Sequence, residues 1–350
     1  MILHSTREFG LLCAPKLTRQ QNHLLRESSI RQSRKINHER RKQLGLPMIV
    51  VGPDDSFTRS LASELKADII PIARRTFPDG ELQPRLMVDE QISLKGETVI
   101  LAMRMKAASC RPNDYLVEYL LTLRNLKKEM QADRVIAVIP YFPYARQDEI
   151  FRPGEPLSSK YVAEMLEAMG ADAVVSVTVH LHRLKSFSDI FDRILGVNVS
   201  GIPSLAREAS KFDLKDPLII GPDEEAIIWA EEFAKHVGAR DYTSFIKERD
   251  RETGEIKMTV REFDLTGRDV VVVDDIVSTG GTMASAIAAA KRMGASRVFS
   301  AFVHPVLAEG ALDKILGAGG DVVIAGDTLE WLGSRATVVP ELGKTIKEML

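Results

Sequence analysis

The chain has little cysteine and no long apolar segment. Cys13 and Cys110 are its only cysteines, too few for a disulfide framework or a metal cluster, so a reducing cytoplasm is the expected location. No uninterrupted apolar run reaches the roughly 18–20 residues that a membrane span requires. The formal net charge of −2 gives no indication of nucleic-acid binding. We therefore expect a globular protein without a membrane or nucleic-acid partner.

Charge is unevenly distributed along the sequence. Residues 1–47 contain ten Lys and Arg against three Asp and Glu, a charge of +7, whereas the remainder has 37 against 46, a charge of −9. The basic segment has no sustained apolar periodicity, so it is expected to be a disordered extension outside the fold. Two interpretations remain open: Met48 is the natural first residue, or the basic arm binds RNA or a membrane.

From Met48 onward, strand patterns alternate with helical patterns, which predicts an α/β fold with mostly parallel sheets and helices on both faces. The length and the pattern favour two domains of similar size, residues 48–196 and 197–340, each with about five strands and its own apolar core. The last residues, 341–350, are expected to form a short helix. Ligands of such sheets bind beyond the carboxyl ends of the strands.

The most informative segment is 269–283, DVVVVDDIVSTGGTM. Its valines predict a buried strand over 269–273 that ends at Asp274 and Asp275. A loop with Gly280 and Gly281 before a helix can bind phosphate through backbone N–H groups, and the hydroxyls of the loop can donate further hydrogen bonds. The two acids would repel a phosphate, so ribose hydroxyls, contacted directly or through Mg²⁺, are their better ligands. The loop hydroxyls belong to Ser278, Thr279 and Thr282.

Other polar clusters also follow predicted strands. In FPDGE (77–81), an aromatic ring and two carboxylates suit an adenine, although these residues alone favour a plain Pro-Asp-Gly turn between strands. In YARQD (144–148), a guanidinium and an amide suit a nucleotide, although a solvated loop is the alternative. The residues concerned are Phe77, Asp79, Glu81, Arg146 and Gln147.

Two histidines close the predicted strand 173–182. His180 and His182 are two residues apart, so they would lie on one face of that strand. His182 and Asp223, which ends a strand in the other half, are candidates to hold Mg²⁺ together. The charged segment 247–251, KERDR, is expected in a hairpin-like loop, either as an exposed turn or as a cationic flap that closes over phosphates.

Taken together and in this order, these motifs resemble the ribose-phosphate pyrophosphokinases, and more their archaeal members, from Met48 to Leu350. The segments that carry the resemblance are IPYFPYARQD, SSKYVAEMLEAMGAD, VVSVTVHLH, GPDEEAI, the charged flap and VVVVDDIVSTGGTM. It implies two type I phosphoribosyltransferase-like domains, with the C-terminal helix 341–350 returning to the first. The implied reaction transfers diphosphate from ATP to O1 of ribose 5-phosphate, which gives 5-phosphoribosyl 1-diphosphate (PRPP) and AMP.

The resemblance also implies roles for residues. Catalysis would involve Lys247, Arg249 and His182, and the metal, Mg²⁺, would be held at His182 and Asp223. Phe77, Asp79 and Glu81 would form an adenine loop that enters a neighbouring subunit, which implies at least a homodimer. The remaining ATP contacts would be Arg146, Gln147 and His182, and the ribose 5-phosphate contacts would be Asp274, Asp275, Ser278, Thr279, Gly280, Gly281 and Thr282.

This chain departs from the family pattern at several positions. His180 stands where the family often has Asp, Ser278 replaces an acid common in bacterial members, and Glu149 begins a stretch that is basic in bacterial members. Regulation by phosphate or ADP is therefore not carried over. The alternatives are a phosphoribosyltransferase that consumes PRPP, a non-catalytic PRPP-synthetase-associated regulatory protein, and a sensor of ribose phosphate.

Overall fold

The structure, a computed structural model, describes residues 48–88, 92–109, 111–180, 185–249, 256–259 and 263–350, with the backbone alone at 247–249 and 256–259. The predicted extension 1–47 and the predicted site residue His182 lie outside the described residues. None of the helices in the described ranges is long and apolar enough to cross a membrane.

The first sheet has seven strands and carries helices formed by the connections between them. Its strands are β1 (Met48–Pro53), β2 (Asp68–Thr76), β3 (Leu82–Leu86), β4 (Thr98–Ala102), β5 (Arg134–Val138), β6 (Ala173–Val177) and β7 (Leu195–Val199). Their spatial order is β3-β2-β1-β4-β5-β6-β7, and all neighbours are parallel except the edge pair β2–β3. The connecting helices are α1 (Ser56–Leu65), α2 (Pro112–Lys128) and α3 (Ser158–Met169).

The second sheet has five strands, all parallel. The second half of the chain contains β8 (Leu218–Gly221), β9 (Asp241–Ser244), β10 (Ile246–Arg249), β11 (Ile256–Thr259), β12 (Asp269–Val277), β13 (Arg297–Pro305) and β14 (Val322–Ala325). The sheet order is β14-β13-β12-β8-β9, while β10 and β11 form a separate antiparallel pair. The helices are α4 (Ile202–Ala209), α5 (Ile227–Val237), α6 (Gly281–Arg292), α7 (Ala311–Gly317) and α8 (Val339–Glu348). The predicted α/β fold with two mostly parallel sheets is confirmed.

Each half has a buried cluster largely of its own, as expected from the sequence, but a third cluster is shared between the halves, which was not expected. One buried cluster contains Val50 and Ile100 of the first sheet together with Val271, Val273 and Phe299 of the second. Helix α8 packs against α1, β6 and β7, and its Lys347 Nζ lies 2.6 Å from Glu64 Oε1 of α1. The predicted boundary between residues 196 and 197 falls inside β7, so the first sheet continues to Val199. Because the apolar surface is shared, the halves are not independent packing units.

Two strands differ in length from the prediction, and both differences affect the candidate site. Strand β6 ends at Val177 rather than at residue 182, because Thr178 adopts a positive φ of 38° that extended backbone cannot accommodate. His180 therefore lies beyond the strand. Strand β12 continues past the predicted end at residue 273, because its pairing with β13 extends to Val277. Strand β8 pairs only as far as Val272, so Asp274 and Asp275 lie on a projecting part of the sheet.

Gly201 allows β6 and β13 to approach each other. A Cβ atom at this position would lie 2.7 Å from Val303 Cγ1 and 3.0 Å from Val177 Cγ1, and both valines are fully buried. We predict that Gly201→Ala lowers the free energy of unfolding by about 1–3 kcal/mol, because either a valine or the backbone must move. Urea denaturation measures this change. Gly317→Ala is the control, because a Cβ there meets nothing within 4 Å, and equal effects of the two substitutions would contradict the prediction.

Candidate functional site

A cavity of about 310 Å³ lies where β8 and β12 end, with side chains from both halves of the chain in its wall. In the sheet, β8 lies between β12 and β9. The chain goes from β8 to β9 on one side and later returns to β12 on the other side, so the cavity is at the point where the strand order reverses. Open α/β sheets bind ligands at such points. The cavity is lined by Arg146, His180, Asp223, Glu225, Ala226, Trp229 and residues 274–283.

Carboxylates dominate this cavity. Asp223 follows β8, and Asp274 and Asp275 project from β12, so three acids meet. Burial raises the pKa of Asp274 well above its ordinary value, and the charges of Asp275 and Asp223 raise it further. Asp274 Oδ1 accepts a hydrogen bond of 3.0 Å from the backbone N–H of Asp275. The three acids therefore repel one another, and a cation or a hydrogen-bond donor from a ligand would relieve that repulsion.

His180 supplies a direct contact between the halves at this site. Its Nδ1 lies 2.7 Å from Asp275 Oδ2, and the carboxyl side chain is only 6% exposed. His180 stands at the position where the family resemblance implied a missing acid. The structure thus places an imidazole against one of the two acids predicted to contact ribose.

The loop from Ser278 to Thr282 has the geometry of an anion-binding turn. Gly280 has a φ of +75°, and a Cβ there would lie 2.8 Å from the carbonyl oxygen of Ala311, so only glycine fits. Gly280 precedes α6, whose first N–H groups have no side-chain cap, and residues 280–283 line the cavity. Helix α7 holds the loop in place, because the Lys314 ammonium donates to the carbonyl of Thr279 at 3.1 Å.

Of the predicted residues in the first half, Arg146 lines the cavity and Gln147 does not. The side-chain oxygen of Gln147 accepts a hydrogen bond from the Ser158 hydroxyl, and its backbone N–H donates to the Tyr144 carbonyl at 2.9 Å. In this conformation, Gln147 therefore links the loop before α3 to Ser158 at the start of that helix. Its predicted contact with ATP would require this side chain to turn.

The adenine-loop residues Phe77, Asp79 and Glu81 also lie away from the cavity. They form the turn between β2 and β3, which is closed by a hydrogen bond of 2.9 Å from the Phe77 N–H to the Glu81 carbonyl. The Arg75 guanidinium stacks over the Phe77 ring at 4.5 Å. Within the described residues, the cavity of one chain is thus built without its own adenine loop.

The predicted cationic flap is only partly described. Lys247 and Arg249 belong to β10, where their backbones pair with Met258 and Ile256 of β11. The antiparallel pair agrees with the expected hairpin, but residues 247–249 lie in its first strand and not in the loop predicted for 247–251, because they pair with β11. The side chains of both residues, like His182, lie outside what the structure describes.

The composition of the cavity favours a divalent cation. Among its lining residues are four carboxylates, from Asp223, Glu225, Asp274 and Asp275, and one guanidinium, from Arg146. Such oxygen donors are the ligands that Mg²⁺ prefers. No group of three His, Cys, Asp or Glu within the described ranges is arranged to bind a metal. The residues therefore suit Mg²⁺ held partly by water and substrate phosphates, the usual arrangement for this ion.

Glu225 and Trp229 line the cavity but were not predicted as site residues. Glu225 is the middle residue of the short turn Glu224–Ala226 after β8, and Trp229 lies one helical turn further along the chain in α5. The spacing of four residues could have indicated a shared helix face. The tryptophan alone gave no signal, because an apolar residue in a helix usually belongs to the core.

His304 is a second buried histidine close to the site. It is 1% exposed, and its Nε2 lies 3.1 Å from the carbonyl oxygen of Thr178, which requires an N–H at that nitrogen. Its Nδ1 lies 2.8 Å from the Thr328 hydroxyl, and the ring of Tyr141 packs 4.9 Å from the imidazole. Burial lowers the pKa of His304 to about 4, so the ring is neutral at pH 7.

The lowered pKa of His304 predicts a loss of stability in mild acid. Because its folded pKa is about 4 and the ordinary value is 6.5, the unfolded chain binds a proton first, and the stabilisation present above pH 6.5 is lost as the pH falls toward 4. The shift corresponds to about 3 kcal/mol. Between pH 7 and pH 4, the free energy of unfolding should therefore fall by about 3 kcal/mol more in the unsubstituted protein than in His304→Gln. Urea denaturation at each pH measures the difference, with the exposed His236→Gln as control, and parallel pH profiles for all three proteins would contradict it.

Comparison with known proteins agrees with this architecture. Residues 48–170 match the model of the N-terminal domain of ribose phosphate pyrophosphokinase, and residues 198–315 match that of the phosphoribosyl transferase domain. A solved structure of phosphoribosylpyrophosphate synthetase from Mycobacterium smegmatis superposes with a TM-score of 0.72 at 26% identity. That superposition covers 86% of this chain and 98% of the other.

Archaeal sequences extend the match along most of the chain. The ribose-phosphate pyrophosphokinase of Methanothermobacter thermautotrophicus is 39% identical over 83% of this chain and 95% of its own length. That of Methanopyrus kandleri is 34% identical over the same shares. The predicted resemblance is confirmed, and the chain belongs to the ribose-phosphate pyrophosphokinase family of enzymes.

Proposed function

We propose that this enzyme transfers the β,γ-diphosphoryl group of ATP to O1 of ribose 5-phosphate, with the residue roles given below. The observation that carries the proposal is one cavity with Arg146 and His180 from the first half and two acids and a glycine loop from the second. In the reaction, a bond forms between O1 and the β-phosphorus while the bond from that phosphorus to the α-phosphate oxygen breaks. The products are PRPP and AMP.

The second half supplies the ribose 5-phosphate pocket. Asp274 and Asp275 are acceptors for the ribose hydroxyls, and each such hydrogen bond would relieve part of the repulsion between the buried acids. The backbone N–H groups around Gly280 and Gly281, with the hydroxyls of Ser278, Thr279 and Thr282, bind the 5-phosphate. This arrangement directs O1 away from the loop and toward the first half.

The first half supplies the ATP pocket and its cations. Arg146 can pair with phosphate oxygens in two parallel hydrogen bonds, and Gln147 can contact the nucleotide after releasing Ser158. Lys247 and Arg249 are suited to neutralise charge that builds on the phosphate oxygens during transfer. Holding both substrates in one cavity also removes much of the entropy cost of their encounter.

Mg²⁺ is the cofactor that the acidic lining favours. When bound, it would neutralise phosphate charge and polarise the transferred group. Asp223 and His182 would hold it, with Glu225 as a further oxygen donor on the same wall. The residues that line the cavity then orient the nucleotide and exclude water that would compete with O1. The proposed location, the cytoplasm, supplies the ATP.

Gly280→Ala tests the phosphate loop. We predict that the variant raises the KM for ribose 5-phosphate at least about 10-fold, because a Cβ would displace the loop from Ala311 and strain a positive φ. Production of AMP and PRPP from Mg-ATP and ribose 5-phosphate is the assay. Gly238→Ala is the matched control, since its φ is +73° but no atom lies within 4 Å of its Cβ position.

The same assay separates the alternatives. An enzyme that consumes PRPP with a base would act without ATP, and a regulatory protein or a sensor would form no PRPP. An unchanged KM in Gly280→Ala would show that the phosphate binds elsewhere.

A homo-oligomer would complete the ATP pocket, because the turn with Phe77 does not line the cavity of its own chain. An exposed apolar surface adjoins that turn: Val117 and Leu121 of α2, with Tyr161 and Met165 of α3. Helices α2 and α3 pack side by side, and β3 packs on α2. The hairpin is also tied to α2, because the Arg74 guanidinium forms two hydrogen bonds to the buried Glu118 carboxylate. We therefore place a second copy of the chain on this surface.

The double substitution Val117→Asp with Leu121→Asp should reduce the oligomer to a smaller species, because it places two charges on an apolar interface. Size-exclusion chromatography with light scattering measures the mass. Leu316→Asp is the control, since Leu316 is equally exposed but lies on α7 in the other half. An unchanged mass in the double variant would exclude this surface as the interface.

A further inference from the structure

The carbonyl of Thr178 joins the two sheets through a buried imidazole. His304, near the end of β13, donates from Nε2 to that carbonyl across 3.1 Å, and Thr178 is itself 1% exposed. Thr328, which follows β14, faces the other ring nitrogen at 2.8 Å and is fully buried. The imidazole, which belongs to β13, is thus held between Thr178 of the first half and Thr328 of the second half.

Thr178 is the residue at which β6 turns toward the cavity. Its backbone N–H donates to the Val199 carbonyl at 2.8 Å, and its hydroxyl accepts from the Gly201 N–H at 2.8 Å. With the bond from His304, all three of its polar groups are paired, two of them to the segment 199–201 and one to β13. A β-branched residue rarely adopts a positive φ such as the 38° seen here, so these three bonds together hold the turn.

This turn sets the position of His180. Only one residue, Val179, separates Thr178 from His180, whose Nδ1 lies 2.7 Å from Asp275 Oδ2. Asp275 is on β12, and its neighbour Ile276 is in register with His304 on β13. The same pair of strands therefore holds both the acid and the imidazole that fixes the turn opposite it.

We propose that His304 is a positioning residue of the active site: through the Thr178 carbonyl it holds the 178–180 turn so that His180 meets Asp275. The role requires a hydrogen-bond donor and not merely a ring of this volume. Without a donor at Nε2, a buried carbonyl would lose its partner, and such a group favours a conformation in which it reaches another donor or water. The Thr178 carbonyl requires the proton on Nε2, and Thr328 holds the ring from its other side, because its Oγ1 lies 2.8 Å from His304 Nδ1 and donates to the Val303 carbonyl at 2.8 Å.

The test compares His304→Leu with His304→Gln, because glutamine keeps an N–H donor and leucine does not. Crystal structures of both variants give the first readout. We expect the 178–180 turn to move and the His180–Asp275 contact to break in the leucine variant, with both sheets unchanged, and we expect the contact to persist in the glutamine variant. An intact contact in the leucine variant would overturn the proposal.

Kinetics give the second readout, which rests on the proposed diphosphoryl transfer. We expect kcat to fall about 10- to 100-fold in His304→Leu, with the KM for ATP changed less than about 3-fold, and substantial recovery of kcat in His304→Gln. Equal losses in both variants would show a merely structural role. If the unsubstituted protein forms no PRPP, the proposed function fails, whereas the crystal structures still decide the positioning role.

A third variant keeps the test decisive if the leucine variant does not fold. Thr328→Val preserves the volume at that position but removes the hydroxyl that contacts Nδ1 and donates to the Val303 carbonyl. We expect it to lower kcat in the same direction by a smaller factor and to weaken the His180–Asp275 contact. A Thr328→Val enzyme with an unchanged kcat and an unchanged turn would contradict the proposal.

Discussion

Repulsion among carboxylates in a cavity that must accept phosphates is the constraint on which this structure depends. Burial raises the pKa of Asp274 well above its ordinary range, and the nearby charges of Asp275 and Asp223 raise it further. Neither ATP nor ribose 5-phosphate would enter such a site unless positive charge came with it. In the proposed function, the guanidinium of Arg146, the N–H groups of the glycine loop and a divalent cation would each meet this need in a different part of the cavity.

The fold creates the cavity by joining the two sheets through a buried apolar cluster that both halves share. Because residues such as Val50 and Val271 belong to the same buried cluster, the orientation of the two halves is fixed by apolar packing and not by the polar site itself. Gly201 is a point of close approach, and the Thr178–His304 hydrogen bond lies beside it. The polar site is thus assembled on a frame that does not require a ligand, which lowers the cost of ordering it during the reaction.

Local patterns predicted the α/β class and the segments that supply the site. The valine run before Asp274 and the glycine pair after it predicted a strand, a loop and a helix, because each of these depends on nearby residues. Arg146, Asp223, Asp274, Asp275 and residues 278–282 were predicted from such segments, and the structure brings them to one cavity.

Features that depend on distant pairing could not be predicted in the same way. The end of β12 is set by β13, and the end of β6 is set by the partners of Thr178, none of which is adjacent in sequence. The contact of His180 with Asp275 joins residues 95 positions apart, and the shared core joins strands from both halves. The position of the Phe77 turn outside the cavity likewise follows from the edge location of β3, which no local pattern indicates.

The most direct test of the account is a crystal structure of the enzyme with Mn²⁺ in place of Mg²⁺, ribose 5-phosphate and a non-hydrolysable ATP analogue, with anomalous scattering used to locate the metal. The account predicts one cavity that holds both ligands, with the 5-phosphate on residues 278–282, the ribose hydroxyls at Asp274 and Asp275, and a Mn²⁺ peak between Asp223 and the phosphates of the analogue. Ribose 5-phosphate bound outside this cavity, or a metal peak remote from Asp223 and the phosphates, would contradict it.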